Sequence, residues 1–208
     1  MLGLYGGGVP YVLERTEMAP YRVIVCRDGF CGQLENGLFR AACTISLICG
    51  TFNILFDPGG PWDRDLVLFI LAKYGLKSED IDFAICSHGH VDHIGNLNYF
   101  PNATIIIGTE IMRHGGVVKH HFSESNPFVR VIYTPGHTTN DVSLVVEGVP
   151  SLGTVVVSGD IFENQCDREN PNLWRDNSLN PELQERSRRL IASFADYIIP
   201  GHGSMFKV

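Results

Sequence analysis

The sequence lacks the features that mark membrane-spanning, fibrous and disulfide-bonded proteins. Its 208 residues contain no run of about 18 apolar residues, the length that a spanning helix needs. The six cysteines form no CxxC pair, and there is no low-complexity tract or internal repeat. The first residues, MLGLYGGGVPYVLERTEM, are broken by glycine and have no basic flank before an apolar core, which is not typical of a secretory signal. We therefore expect a reduced, cytoplasmic protein with no membrane partner.

Basic residues are also scarce. There are 16 Lys plus Arg against 23 Asp plus Glu, a formal net charge of −7 that disfavours broad binding to nucleic acid and leaves a local basic patch as the alternative. An apolar content of 44% fits one compact domain of ordinary size. We expect a lead-in segment at 1–18 and a single domain over 19–208.

Short apolar runs separated by Gly and Asn predict a protein rich in strands. Strands are expected at 21–26, 43–49, 52–57, 81–86, 103–108, 128–133, 141–148, 154–159 and 197–200, the first three as an antiparallel meander. Helices are expected at 63–74 and 181–194. Each half of the chain thus has strands followed by a helix, which predicts an α/β fold of two sheets packed face to face with helices outside.

One short segment carries most of the candidate chemistry. Residues 87–93 read SHGHVDH and place His88, His90, Asp92 and His93 within six positions, directly after a predicted buried strand. Imidazoles two residues apart can converge on one cation, while the Asp-His pair that follows can turn toward a neighbouring one. Imidazole and carboxylate are good ligands for zinc and also suit iron or manganese.

Three further candidate ligands occur downstream, each at a predicted strand end beside glycine. They are His137 in TPGHT, Asp160 in VVVSGD and His202 in IIPGHG. A rigid sheet positions such side chains, and glycine lets the backbone approach them closely. The competing interpretations are histidines hydrogen-bonded in loops without any metal, and a metal-binding module that has no catalytic activity.

The ordered set HxHxDH, His, Asp, His resembles the metallo-β-lactamase superfamily in its glyoxalase II-like branch, over roughly residues 20–208. The resemblance implies a four-layer αββα sandwich of two mixed sheets and two divalent metal ions, Zn²⁺ foremost and Fe or Mn as alternatives. It implies one metal at His88, His90 and His137, a second at Asp92, His93 and His202, and Asp160 bridging both. Pro58 stands where the superfamily more often has Thr, a departure that leaves these ligands untouched.

Such a centre predicts a hydrolase in which a metal-bridging hydroxide is the nucleophile. Asp92 is the candidate catalytic residue, because a carboxylate beside the water can orient it or move its proton. The nearest resemblance implies an endoribonuclease acting in histone pre-mRNA 3′-end processing, with an RNA substrate, a location extending to the nucleus and a homodimeric assembly. The alternative is a glyoxalase II-like hydrolase of a thioester or another small acyl substrate.

Other residues have two open interpretations each. Asp57 is either a carboxylate that hydrogen-bonds a ligand imidazole or a turn-forming residue. Trp62 either lines the rim of a pocket or closes a surface turn. Ser87 and Ser158 lack the GxSxG setting of a nucleophile.

Two clusters outside the ligand set are expected at the surface. His114, His120 and His121 lie in a polar, Gly-containing segment that predicts a solvated loop. Arg186, Arg188 and Arg189 share a predicted helix with Glu182 and Glu185, which favours a solvated face with ion pairs over a phosphate contact.

Overall fold

Two β-sheets form the centre of the structure. The computed structural model describes residues 20–117 and 126–208, so the predicted lead-in and the pair His120 and His121 lie outside the described residues. The strands up to residue 117 are β1 (Arg22–Arg27), β2 (Phe30–Gln33), β3 (Phe39–Ala42), β4 (Ile45–Cys49), β5 (Asn53–Phe56), β6 (Phe83–Cys86), β7 (Thr104–Ile107), β8 (Glu110–Arg113) and β9 (Gly116–Val117). The later strands are β10 (Val129–Tyr133), β11 (Val142–Val149), β12 (Gly153–Gly159), β13 (Tyr197–Pro200) and β14 (Phe206–Lys207).

Both sheets are mixed, as expected. The first has the order β1-β4-β5-β6-β7-β8-β9, and the second has the order β10-β11-β12-β13-β14. Strands β5, β6 and β7 run parallel, as do β12 and β13, while the remaining neighbours are antiparallel. The predicted meander is confirmed for β1, β4 and β5.

Two hairpins were not predicted. Strands β2 and β3 pair with each other as a separate two-stranded sheet, and their sequences FCGQ and FRAA are too short and polar to show a strand pattern. Strands β8 and β9 pair around a turn that contains His114, whose φ is 48°. The predicted solvated position of His114 is confirmed, because the residue is exposed in the turn of this hairpin.

Four α-helices lie in the described residues: α1 (Arg64–Lys73), α2 (Val91–Ile94), α3 (Asn172–Arg175) and α4 (Pro181–Ala192). The two long ones, α1 and α4, were predicted. Helix α4 begins with Pro181, and the Asn180 side chain accepts a hydrogen bond from Leu183 N at 3.0 Å, a standard helix start. Single turns of 3₁₀ helix occur at Pro61–Asp63, Ser78–Asp80, Leu97–Tyr99 and Gln165–Arg168. The longest described helix has 12 residues, which is short of the roughly 20 that cross a bilayer.

Three apolar cores separate four layers. Ile48, Phe56 and Ile85 of the first sheet meet Leu144 and Val157 of the second between the sheets. On the outer face of the first sheet, α1 packs Val67 and Leu71 against Leu47 and Leu55. On the outer face of the second, Ile191 of α4 packs against Val145, Val156 and Ile198. Central strands are thus buried on both faces, which accounts for their unbroken apolar sequences and confirms the αββα sandwich.

The basic cluster on α4 divides between two environments. Arg188 is buried and donates to the Asp167 carboxylate at 2.6 and 2.9 Å, with its guanidinium 4.0 Å from the Phe162 ring centroid. Arg189 is exposed and pairs with Glu185 at 2.9 Å. The predicted solvated ion pair is confirmed for Arg189 and wrong for Arg188, because Arg188 shares a helix face with the buried residue Ile191.

We therefore expect Arg188→Ala to destabilise the fold by about 3 to 5 kcal/mol, because it leaves the fully buried Asp167 carboxylate without its charged partner. The matched Arg189→Ala change removes an exposed pair and should cost less than about 1 kcal/mol. Urea unfolding of both variants measures the two values, and equal losses would contradict this division of the cluster.

Candidate metal centre

The seven predicted ligand positions meet at one edge of the two sheets. His88 follows the end of β6. His90 precedes the short helix α2, and Asp92 and His93 lie within it. Asp160 directly follows β12, and His202 follows the end of the parallel strand β13. His137 lies in the connection between β10 and β11. The carboxyl ends of parallel strands share one edge of a sheet, so residues distant in sequence converge there.

The first group consists of His88, His90, His137 and Asp160. Nδ1 of His90 lies 2.7 Å from Nε2 of His88 and 3.1 Å from Nε2 of His137. Oδ2 of Asp160 lies 3.7 Å from Nε2 of His88 and 3.4 Å from Nε2 of His137. One donor atom of each residue lies within 4.8 Å of the others, close enough for a single ion.

The second group consists of Asp92, His93 and His202, again with donor atoms within 4.8 Å of one another. Oδ2 of Asp92 lies 3.7 Å from Nε2 of His93 and 3.9 Å from Nε2 of His202. Asp160 reaches this group as well, with Oδ1 at 3.4 Å from Nε2 of His93 and Oδ2 at 3.2 Å from Nε2 of His202. A single carboxylate therefore lies between the two groups.

Unsatisfied polar atoms point to cations as the missing partners. Asp92 Oδ2, His93 Nε2 and Asp160 Oδ1 are buried and have no hydrogen-bond partner among the described residues. Such atoms are costly unless something binds them. Nδ1 of His202 lies 3.1 Å from Ala42 O and donates to it, which leaves the lone pair on Nε2, the nitrogen that faces the group. This chemistry fits two divalent metal ions.

The pKa values of the histidines and carboxylates at the centre depend on one another's charges. Burial opposes a positive charge on His202, but Asp160 outweighs it and raises the pKa of His202 to about 9. Burial also opposes a charge on His93, yet Asp160 and Asp57 hold its pKa well above the usual value. Burial alone would raise the pKa of Asp160, but His93 and His202 hold it well below its usual value. A carboxylate that attracts protons to these imidazoles also attracts divalent cations, which displace the protons on binding.

Asp57 orients the second group through hydrogen bonds. It is buried, accepts from Ser87 N at 2.7 Å and from Ser87 Oγ at 2.9 Å, and lies 2.9 Å from Nδ1 of His93. Donation from Nδ1 leaves Nε2 of His93 free to face Asp92 and Asp160. Of the two interpretations of Asp57, the carboxylate that positions an imidazole is the one the structure shows.

Steric contacts explain why glycine occurs beside two of the candidate ligands. A Cβ at Gly201 would lie 1.8 Å from Asp160 Oδ1, and a Cβ at Gly159 would lie 2.3 Å from Ser87 Cβ. The expected close approach of the backbone is therefore real at both positions. Trp62, by contrast, is 66% exposed within a 3₁₀ turn and does not line the cavities at the centre that are described below.

Sequence reasoning missed three residues near the centre. Asp141 accepts hydrogen bonds from Gly136 N and Thr138 N at 2.9 and 2.7 Å and so shapes the loop that carries His137. Cys31 and Glu163 form a further close group with His202. The Asp at the end of TPGHTTND was a visible signal for Asp141, whereas Cys31 sits in the hairpin that the strand pattern did not reveal.

The chain belongs to the metallo-β-lactamase superfamily, whose members are metal-dependent hydrolases, and it has the metallo-β-lactamase fold. The model of the family described as "Metallo-beta-lactamase superfamily" matches residues 39–121.

Among similar proteins, one from Xenopus laevis named Metallo-beta-lactamase domain-containing protein 1 is 43% identical over 197 residues, covering 91% of this chain and 83% of that protein. The Rattus norvegicus protein of the same name is 45% identical over 162 residues, covering 74% of this chain. The alignment spans only 63% of the rat protein.

The likeness extends to solved structures. An N-acyl homoserine lactone hydrolase with the product N-hexanoyl-L-homoserine bound at its catalytic metal centre superposes with a TM-score of 0.65. It is 20% identical in sequence, and the match covers 89% of this chain and 93% of that one. At this identity the likeness shows a shared fold.

Because Asp57 fixes the ring of His93, we expect Asp57→Asn to weaken zinc binding by about 10- to 100-fold while the protein stays folded. Competition with a chromophoric chelator measures the zinc affinity. Asp65→Asn, a change at an exposed position in α1, is the matched control and should leave the zinc affinity unchanged. An Asp57→Asn protein that binds zinc as tightly as the wild type would contradict this role.

Proposed function

We propose that the protein is a hydrolase with two divalent metal ions, Zn²⁺ foremost, and Fe or Mn as alternatives. The observation that carries the proposal is the pair of donor groups that share Asp160. One ion is assigned to His88, His90 and His137, the other to Asp92, His93 and His202, and Asp160 contributes to both. When bound, two such ions supply hydroxide at neutral pH and polarise the bond under attack.

A cleft gives substrates access to this centre. A cavity of about 220 Å³ is lined by five of the seven donors together with Cys31, Phe39, Ala41, Glu163 and Asn177. A second cavity of about 290 Å³ shares Cys31, Phe39, Glu163 and Asn177 and extends away from the donors toward Leu173. Together they form a cleft whose walls carry apolar, amide and acidic side chains, a mixture that suits a small-molecule site.

The charge of this cleft favours an uncharged acyl substrate. No Lys or Arg lines either cavity in the part of the chain that the structure describes, whereas Glu163 and Asp176 do. A polyanion needs cationic side chains along its path, and Arg188 is committed to Asp167 instead. We therefore rank hydrolysis of a lactone, thioester or related acyl compound first. The acyl product in the similar lactone hydrolase supports this ranking.

Endoribonuclease activity is the second candidate. It is favoured by a cavity of about 410 Å³ beside His88 and His90, whose lining includes the neutral hydrogen-bonding residues Thr138 and Asn140 and one acid, Glu110. A single strand of RNA that occupies this cavity would lie next to the metal-donor residues His88 and His90. Two dications would also shift the formal charge from −7 to about −3.

A side-by-side comparison separates these functions. We expect the zinc-loaded protein to hydrolyse N-hexanoyl homoserine lactone or an uncharged acyl thioester in preference to single-stranded RNA and a β-lactam. A chelator should abolish turnover and zinc should restore it, while His90→Ala serves as the inactive control. RNA cleavage with no acyl turnover would reverse the ranking, and no metal-dependent turnover at all would favour a binding module.

Asp92 is proposed to be the catalytic residue that holds or moves a proton. Its Oδ2 is unpaired among the described residues, and its side chain lines the cleft. We expect Asp92→Asn to lower kcat by about 10²- to 10⁴-fold, because the amide can no longer take up a proton. Turnover is measured together with zinc content. An Asp92→Asn protein with full zinc content and full turnover would defeat the assignment.

A further inference from the structure

Glu163 is a buried acidic side chain for which the seven donors leave no role. It is 3% exposed, yet it lines both cavities of the cleft. No hydrogen bond from the described residues reaches its carboxyl group, and the nearest ring nitrogens, Nδ1 of His137 and Nε2 of His202, are both 4.0 Å away. That distance is too long for a hydrogen bond. The carboxyl group instead faces the two cavities, where a bound molecule can supply a hydrogen-bond partner.

The backbone holds Glu163 rigidly in this position. Its N donates to Asp167 Oδ2 at 2.7 Å, and its O accepts from His202 N at 2.8 Å. Asp167 is in turn held by two hydrogen bonds from Arg188, whose guanidinium lies near the rings of Phe162 and Trp174. The buried Arg188–Asp167 pair thus fixes the wall of the cleft that carries Glu163, as a preorganised binding group requires.

A third metal ion is a poorer explanation of the same residues. Cys31, Glu163 and His202 do offer donor atoms within 4.8 Å of one another. However, Nε2 of His202 faces Asp92 and Asp160, and its Nδ1 is engaged with Ala42 O. The imidazole therefore has no nitrogen left for another ion, and two residues alone do not make a metal site.

We propose that Glu163 selects substrates that carry a hydrogen-bond donor, an amine or amide N–H, on the carbon next to the hydrolysed acyl group. This inference rests on the proposed acyl hydrolase function. Because Glu163 lies beside His137 and His202, its partner group lies beside the group undergoing hydrolysis. The surrounding lining contains a second acid, Asp176, and the amide of Asn177, which suit a donor-rich or cationic substituent and disfavour an anionic one.

The test uses two carboxylates that differ only in this donor. Homoserine has an ammonium group beside its carboxylate, and 4-hydroxybutyrate has none. Calorimetric titration of the zinc-loaded protein should show homoserine binding at least about tenfold more tightly. Glu163→Gln should reduce the preference to about threefold or less, because homoserine loses its partner carboxylate and 4-hydroxybutyrate does not. Glu110→Gln, an acid that lines the opposite cavity, is the matched control and should keep the full preference.

Three outcomes would overturn the proposal. Equal affinity for the two compounds in the wild type, or no binding of either, removes the selectivity. Survival of the preference in Glu163→Gln assigns it to another group. A tenfold or greater loss of zinc affinity in Glu163→Gln with the preference intact makes Glu163 a positioning residue for His137. Because binding needs no turnover, these results are distinct from a failure of the proposed function, which turnover of homoserine lactone and γ-butyrolactone tests separately.

Discussion

Asp160 is the constraint around which the centre is built. Its carboxylate is buried and lies 3.2 to 3.7 Å from ring nitrogens of His88, His93, His137 and His202. A carboxylate removed from water is stable only with compensating positive charge, and four imidazoles from three different segments provide it only when they are protonated or hold cations. The fold therefore has to bring those segments together at one point, and the pKa values of His93 and His202 are raised because Asp160 is there.

Three features of the αββα sandwich bring these imidazoles to Asp160 and orient them. Strands buried on both faces end at a common edge, so side chains that follow β6, β12 and β13 start from rigid positions. Glycines at 159 and 201 give the space in which Asp160 and Ser87 approach their neighbours. Asp57 and Ala42 O accept from the Nδ1 atoms of His93 and His202, and this fixes which nitrogen of each ring faces the centre.

Much of this was predictable from sequence because the pattern is local. The spacing HxHxDH and the Gly-flanked His137, Asp160 and His202 are visible without a structure, and continuous apolar runs mark the central strands. What could not be predicted depends on contacts between distant segments. In the sequence Arg188 is indistinguishable from an exposed basic residue, because its contacts with Phe162 and Trp174 depend on how α4 packs. The position of Glu163 in the cleft, without a hydrogen-bond partner for its carboxyl group, likewise depends on the folded chain. The β2–β3 hairpin, which brings Cys31 and Phe39 to that cleft, has too little apolar periodicity to be recognised.

The most direct test of the account is the number of zinc ions bound per chain, measured by elemental analysis of protein equilibrated with zinc and freed of excess metal. Two donor groups that share one carboxylate predict two ions per chain in the wild type. Asp160→Ala should lower that number, because it removes a ligand from both groups at once. A wild-type protein that binds one ion or none would contradict the binuclear centre on which the proposed hydrolysis depends.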